Sequence, residues 1–544
     1  MAEKTSNLET LDLHVRSYRS ALKSTHEITI DSLTNSHLQM EPILHPLGQK
    51  AQEIDVSAFV YALLRLPEEI DQTLKIIAGP IPEVFAQAGF NDVNTWPKTT
   101  SPARRRKYHF HKNQGLLACY INSISDIDDL VNLAITYQVE WNKLNQLLKD
   151  HSLSELLNKE DYQNLIKAFG PNHEKRLRLV KKCTKKLRLQ LLAGSWVDYC
   201  KATQKWWKNI AKSANPKLHL TKRPIYFVSS NTHSLVNLIS GFALKNSKQI
   251  LKFTKDTNPI LYQTHQQIKK GLLNLPENDY LYFISRQFLH VDTHAQQKAL
   301  FDQKLGIDVI PSSKYLDINT QIIPVSVLAE SKSLDPRLKI ADHKKLAQSQ
   351  ALIFNIDYPL GFAAYHILSE ILENVQEVRG VYIMGKAAVL NSEIGDIQIP
   401  RLVHDEHTHN SYIFNNCFNH NFPFNNQQGS ILTNQKAVSV LGTYIENEAL
   451  LKKYSEENLT VIEMESGPYL EAISEATFDH RHTTNETVDL NSAPFDIGIV
   501  NYTSDTPYSK AKNLGTQTLS LDGVEPTYLA SLAILQRIID LESN

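Results

Sequence analysis

Cysteine is scarce and scattered. The four residues Cys119, Cys183, Cys200 and Cys417 form no C-x-x-C pair within 544 positions, which argues against a disulfide framework and against a structural zinc site, and leaves buried free thiols as the expectation. Net charge is missing as well: 57 Lys and Arg against 58 Asp and Glu give a formal charge of −1. No global field draws such a chain to nucleic acid or to a membrane, so any attraction of that kind has to be local. The most apolar extended window, residues 351–368, is interrupted by Asn355, Asp357 and His366, which is wrong for a membrane span. The opening MAEKTSNLETLDLHVRSYRS has neither an apolar core nor a small-residue cleavage site. No secretory leader is therefore expected, and the expected location is cytoplasmic. No internal repeat is visible.

What the chain does have is length and an ordinary globular balance, with 42% hydrophobic and 21% charged residues. Two to four units, each with its own core, are expected. The first 220 or so residues read as helical, with apolar residues at helical spacing in VSAFVYALLRL from Val56 and in IDDLVNLAI from Ile127. Ser125 and Asp128 suit a capping box that starts a helix near Asp126. The same pattern makes Asp126, Asp128 and Asp129 a helix start rather than a cation site. Residues 97–106, PKTTSPARRR, break the periodicity and read as a loop between helices. The basic run EKRLRLVKKCTKKLR at 174–188 is either a contact for an anionic surface or a solvated helix flank. Trp196, Trp206 and Trp207 beyond it are spaced for packing and are expected to seal a helical bundle.

At Arg223 the character changes. RPIYFVSS is β-rich and is followed by the helix-start cluster Asn231-Thr-His-Ser and an apolar helix. The strand-then-helix rhythm recurs at Ala351, Gly380, Ala437 and Phe495, and a last helix is expected from Pro526 to Leu541. Such alternation indicates an α/β layered domain with a largely parallel or mixed sheet. The expected organisation is thus an all-α N-terminal domain, residues 1–220, followed by an α/β domain, residues 221–544. Residues 255–345 carry no clear pattern, and 410–434, rich in Asn, Phe and Gln, read as an insertion loop.

Chemistry enters with TVIEMESGP at 460–468 and Ser504-Asp505. Breaking an N-glycosidic bond makes an oxocarbenium-like sugar while the leaving base gains negative charge, so it needs a proton donor near the base and acceptors on the ribose hydroxyls. The order GKAAVL from Gly385, IGDIQIP from Ile394, Gly442-Thr-Tyr, then Glu463-Met-Glu-Ser, then Ser504-Asp505 resembles the purine nucleoside phosphorylase and nucleosidase superfamily. The resemblance covers roughly residues 222–541 and is concentrated in 380–541. The chain also resembles a bacterial family that joins such a domain to a helical N-terminal region.

The resemblance implies a three-layer domain with a mixed sheet and cleavage, by phosphorolysis or hydrolysis, of a purine nucleoside or nucleotide. It implies that Glu465 accepts hydrogen bonds from the ribose hydroxyls, that Met464 packs under the sugar, and that Asp505, preceded by Ser504, protonates the leaving base. The residues alone also allow Glu465 to be a helix cap and Asp505 an Asx-turn residue. Gly385 and Lys386 stand where the family's phosphorylases have a glycine-rich turn with a phosphate-binding Ser or Thr, often after an Arg. Here Lys takes the Ser/Thr position and Tyr382, Ile383 and Met384 precede the glycine. Lys386 is then a point charge for free phosphate or for a 5′-phosphate, or a surface lysine.

Nucleosidases of the family activate water with a Glu after the first strand. Ser229-Ser-Asn-Thr-His-Ser holds no acid, which leaves His233 as the only conventional base there, or as part of a helix cap. His404-Asp-Glu-His407-Thr-His409 reads as a polar rim loop rather than a metal site. No cofactor or metal is expected, inorganic phosphate is the candidate co-substrate, the partner is a small-molecule nucleoside or nucleotide, and a homo-oligomer follows from the resemblance. A reading from another class is a non-catalytic nucleotide-binding or regulatory protein on the same fold.

Overall fold

The computed structural model describes residues 7–312, 315–331, 334–419, 422–425, 429–478, 481–506 and 521–543. Its N-terminal part is not all-helical. Six strands, β1 (Glu27–Thr29), β2 (Lys75–Gly79), β3 (Lys98–Thr99), β4 (Tyr108–His111), β5 (Leu116–Tyr120) and β6 (Arg188–Leu191), form a mixed sheet in the order β1-β6-β2-β5-β4-β3. The helical expectation fails because these strands are two to five residues long. In β2 and β5 the sequences KIIAG and LLACY are buried at nearly every position, so they show no alternation that would separate a strand from a helix segment.

The helix Ile124–Leu147 is the axis of this region and is buried on almost all sides. Its acidic start serves as counter-ions. Asp126 and Asp129 hold the buried Arg106, Asp129 also holds Arg104, and Asp128 accepts from Tyr18 and pairs with Arg19. Ser125 does not complete a capping box, because its hydroxyl accepts the N–H of Phe362 at 3.0 Å. The run 97–106 accordingly ends in the interior rather than at a loop tip. The basic run at 174–188 is partly structural too: Arg176 makes a two-point pair with buried Asp71, and Lys185 Nζ donates to the carbonyl of Ile70 at 3.1 Å.

The second sheet collects β7 (Ile225–Ser230), β8 (Asp308–Ile310), β9 (Thr320–Pro324), β10 (Leu352–Asp357), β11 (Val378–Val389), β12 (Ile397–Asp405), β13 (Ser411–Ile413), β14 (Ile431–Ser439), β15 (Val461–Glu463), β16 (Thr487–Asp489) and β17 (Asp496–Asp505). The order is β16-β13-β12-β14-β15-β11-β7-β10-β9-β8, with β17 paired to β11 and β12. β10, β7, β11 and β17 are mutually parallel neighbours, and IYFVSS and LIFNID are buried throughout, as a strand covered on both faces must be. Helices of both halves cover it. Trp206 and Trp207, on the helix Trp196–Ser213, pack against Phe354 of β10 with ring centroids 6.5 and 5.8 Å apart. They seal the second sheet, not a helical bundle. A single apolar cluster also joins Tyr61, Tyr137 and Leu130 to Val438, Tyr444, Leu450 and Met464. Among the described residues no helix is long and apolar enough to cross a membrane.

Candidate functional site

In open α/β sheets, ligands sit beyond the carboxyl ends of parallel strands. Here the ends of β7, β10, β11 and β17 form one such edge. After β7, Asn231 Oδ1 accepts the N–H groups of His233 (3.1 Å) and Ser234 (2.6 Å), which starts the helix Ser234–Ser240. At the end of β10, Asp357 Oδ1 accepts from Thr232 N (3.1 Å) and Oγ1 (2.9 Å), and Oδ2 accepts from Asn319 Nδ2 (2.7 Å). Asp357 also pairs with Arg105, whose Nη2 reaches the carbonyl of Tyr358 at 3.2 Å. An arginine of the N-terminal half therefore stands at the strand ends of the other sheet.

The phrase at 460–468 resolves into two carboxylates with different tasks. Glu463 closes β15. Its Oε2 accepts the N–H groups of Glu465 (2.8 Å) and Ser466 (2.7 Å), and its Oε1 is bonded by Ser439. Glu463 thus caps the helix Ser466–Thr477, whereas the Glu465 side chain makes no cap bond. Glu465 Oε1 instead accepts the N–H of Gly361 at 3.0 Å. Burial and the neighbouring Glu463 push its pKa up to about 8, against the Gly361 hydrogen bond and the charge of Arg104. The cap reading passes from Glu465 to Glu463. Met464 is buried beside the same turn, 3.5 Å from where a Cβ on Gly361 would stand.

Gly361 has φ +53°, and an added Cβ would run into Ser125 Oγ. Gly361→Ala is expected to destabilise the protein by about 1–3 kcal/mol, from left-handed backbone plus a displaced helix start. Thermal melts of the two proteins measure this.

Lys386 and Gly385 correct one expectation. β11 does not end at Gly385 but runs on to Val389, with Gly385 paired to Asn501 and Lys386 to Tyr502 of β17. The continuous partner strand keeps the segment extended, so Gly385 makes no phosphate-cradling turn. Lys386 is open to solvent yet surrounded by enough protein to lower its pKa, with the charges of Arg286 and Arg65 adding to the shift. His233 is half-buried, and burial together with the charges of Arg286, Lys298 and Arg105 lowers its pKa to about 3. It is neutral at any ordinary pH.

Ser504 is exposed, and its hydroxyl donates to the carbonyl of Ala387 at 3.3 Å. Asp505 ends β17 opposite Ala388. Its side chain lies outside the described residues. His404 to His409 are tied internally: Asp405 accepts from His407 (2.8 Å) and Thr408 Oγ1 (2.8 Å), and Glu406 holds Tyr454 and the N–H of Leu441. Arg105, held at the end of β10 by Asp357, is a residue of this edge that the sequence reading did not single out. Only the Arg104-Arg105-Arg106 triplet carried a signal, as charge concentrated after a proline.

The model of one protein family matches residues 30–159 and 154–540, which is nearly the whole chain. The chain belongs to DUF6909, a family of unknown function. No curated protein matches this DUF6909 chain. Similar solved structures include the P. knowlesi homologue of P. falciparum PNP, at 14% identity over 35% of this chain and 74% of that one, TM-score 0.25. A 5′-methylthioadenosine/S-adenosylhomocysteine nucleosidase from S. pneumoniae matches at 10% identity over 42% and 90%, TM-score 0.29. Such a nucleosidase from Colwellia psychrerythraea, in complex with adenine, matches at 11% identity over 43% and 90%, TM-score 0.27.

Proposed function

We propose that the protein cleaves the N-glycosidic bond of a purine nucleoside or nucleotide, with Glu465 holding the ribose hydroxyls and Asp505 giving a proton to the departing base. The observation that carries this reading is the register of β11. At Ala388 it faces Asp505 of β17 on one side and Ile462 of β15 on the other. The two carboxylate-bearing segments therefore flank one strand, roughly 10 Å apart at the backbone by strand spacing. One carboxylate can address the sugar while the other addresses the base.

The division of labour between the glutamates supports it further. With Glu463 committed to the helix start, Glu465 accepts the N–H of Gly361, and among the described residues no side chain bonds its oxygens, which leaves them room for ribose hydroxyls. Holding the ribose through those hydroxyls stabilises the sugar most when it carries positive charge, which is the condition for catalysis rather than mere binding. His233 fits a different role from that of a base. A group with pKa near 3 takes up a proton too weakly to activate water near neutral pH, and a neutral imidazole that orients a ligand is the better reading. The attacking group is then phosphate, or water positioned without a strong base.

The absence of an acid after β7, with His233 held neutral, favours a second reading in which the pocket binds a nucleotide without turnover. One experiment separates the two. Purine nucleosides and their 5′-monophosphates are incubated with the purified chain, with and without inorganic phosphate, while free base is followed by chromatography and binding by calorimetry. Base release from at least one compound is expected. Tight binding with no release would replace cleavage by binding, and no binding of any member would sink both.

A further inference from the structure

Ser123 stands at the N-cap of the helix Ile124–Leu147, where a serine hydroxyl ordinarily accepts from its own helix, yet it makes no such bond. Its hydroxyl and that of Ser125 are buried and cross instead to the loop between β10 and the helix Ala363–Asn374. Ser123 Oγ donates to the carbonyl of Leu360 at 3.4 Å, and Ser125 Oγ accepts the N–H of Phe362 at 3.0 Å. Between these two ties lies Gly361, whose N–H donates to Glu465 Oε1 at 3.0 Å. The Leu360 carbonyl and the Gly361 N–H belong to one planar peptide unit, so a bond at its oxygen helps to fix the direction of its N–H. Ser125 fixes the next unit in the same way, and it packs so close to Gly361 that no Cβ fits there. Arg105 adds a third tie from the N-terminal half, donating to the carbonyl of Tyr358 at 3.2 Å.

We infer that Ser125 and Ser123 are positioning residues for Glu465: through the peptide units on either side of Gly361, the N-terminal half aims the donor that orients this carboxylate and favours its charged form. Gly361 has φ +53° and no side chain to hold it, so the direction of its N–H depends on what grips its neighbours. That N–H lies at the start of the helix Ala363–Asn374, where the helix dipole favours an anion. Burial and Glu463 raise the pKa of Glu465 to about 8, while the Gly361 N–H, the charge of Arg104 and the Met464 backbone oppose the rise. Tyr469 also faces Glu465, but burial keeps its hydroxyl protonated and uncharged. Arg104 is itself a residue of the N-terminal half, paired with Asp129 at 2.7 Å. Two of the influences that keep Glu465 ionisable therefore come from that half of the chain. The ribose-holding role of Glu465 rests on the cleavage reading above, whereas its coupling to the two serines does not.

Melting temperatures of the full-length chain test the coupling without any substrate. Wild type, Ser125→Ala and Ser123→Ala are each melted with and without Glu465→Gln from about pH 5 to 10. Within a pair, the gap in favour of the Gln form widens with pH while the folded chain retains the Glu465 proton, and it stops widening at the folded-state pKa. In the wild-type background that point is expected near pH 8. In the two Ala backgrounds it should move up by about half a pH unit or more, because the charged carboxylate has lost an aimed donor. A serine that merely joined the two halves would lower every melting temperature and leave the point in place. Should Ser125→Ala fail to fold, Ser123→Ala decides alone, since its own helix does not use the hydroxyl. An unmoved point in the Ala backgrounds, or a wild-type gap that does not change with pH, overturns the coupling. Where base is released from a nucleoside, the ascending limb of kcat/KM should shift by the same amount, with its plateau within about threefold of wild type. Absence of base release would sink the cleavage reading and leave the coupling to the melts.

Discussion

Replacing Asp505 by Asn is expected to slow release of free base by about 10²–10⁴-fold while leaving the melting temperature within a degree or two of wild type, the range that general-acid catalysis typically supplies. The reason is in the bond being broken. A purine leaves with its electron pair and becomes a good leaving group only when a proton arrives at the ring. An amide of the same size still hydrogen-bonds the base but has no proton to give. Asp505 closes β17 in register with Ala388, one strand away from the segment that carries Glu465. The exchange conserves side-chain volume, so little change in stability is expected. A correctly folded Asp505→Asn protein with the wild-type rate would remove Asp505 from the mechanism.

Glu465→Gln carries the second large effect, a loss of about 10–100-fold in kcat/KM, as expected when hydrogen bonds to a charged acceptor are weakened. It also has a pH signature. Ribose hydroxyls donate into the ionised carboxylate, and in the free protein burial and Glu463 hold the Glu465 pKa at about 8. The ascending limb that this carboxylate gives to wild-type kcat/KM is therefore expected to have its midpoint near pH 8, and the Gln variant loses this limb. Stability moves the opposite way. The ordinary carboxyl value is 4.5, so between pH 4.5 and 8 the folded chain keeps a proton that the unfolded chain releases. The associated stability is fully present below 4.5 and is lost as pH rises through 8. Gln has no such proton to lose. Glu465→Gln should melt above wild type at pH 8, by on the order of a few kcal/mol at most, and match it near pH 4.5. A wild type that outlasts the variant at pH 8 would mean that Glu465 is not desolvated as described.

The parts of the fold legible in the sequence are those whose signal is local. IYFVSS and LIFNID are runs rich in β-branched and aromatic residues bounded by polar helix-start or turn residues, and the helix Val524–Ser543 shows itself through sustained apolar spacing. The N-terminal sheet is not of this kind. β1 pairs Glu27 with Gln190 of β6, a partner more than 160 positions away, and no window of three or four residues announces such a pairing. The tryptophans at 206 and 207 were recognisable as packing residues, but their partner, Phe354, is set by how the helix Trp196–Ser213 lies across the second sheet.

The candidate site divides along the same line. Glu465 and Asp505 stood out because their neighbours in the chain form a phrase. Which of Glu463 and Glu465 caps the helix was hidden, because it depends on Ser439, a residue of the neighbouring strand β14, fixing the first of them. Arg105 was hidden for a similar reason. A charged residue on a loop looks like solvated surface until the fold brings it to Asp357 at the end of β10.

The account turns on Glu465 gripping the sugar, and substrate discrimination measures that grip. The quantity is kcat/KM for a purine ribonucleoside substrate and its 2′-deoxy counterpart, determined for wild type and for Glu465→Gln. Wild type is expected to prefer the ribo form by about 10–100-fold, the worth of a hydrogen bond to a carboxylate, and the variant to lose most of that preference. A Glu465→Gln protein that still discriminates as strongly as wild type would contradict the ribose clamp, and with it the reading of this cleft as a glycosidic-bond-cleaving site.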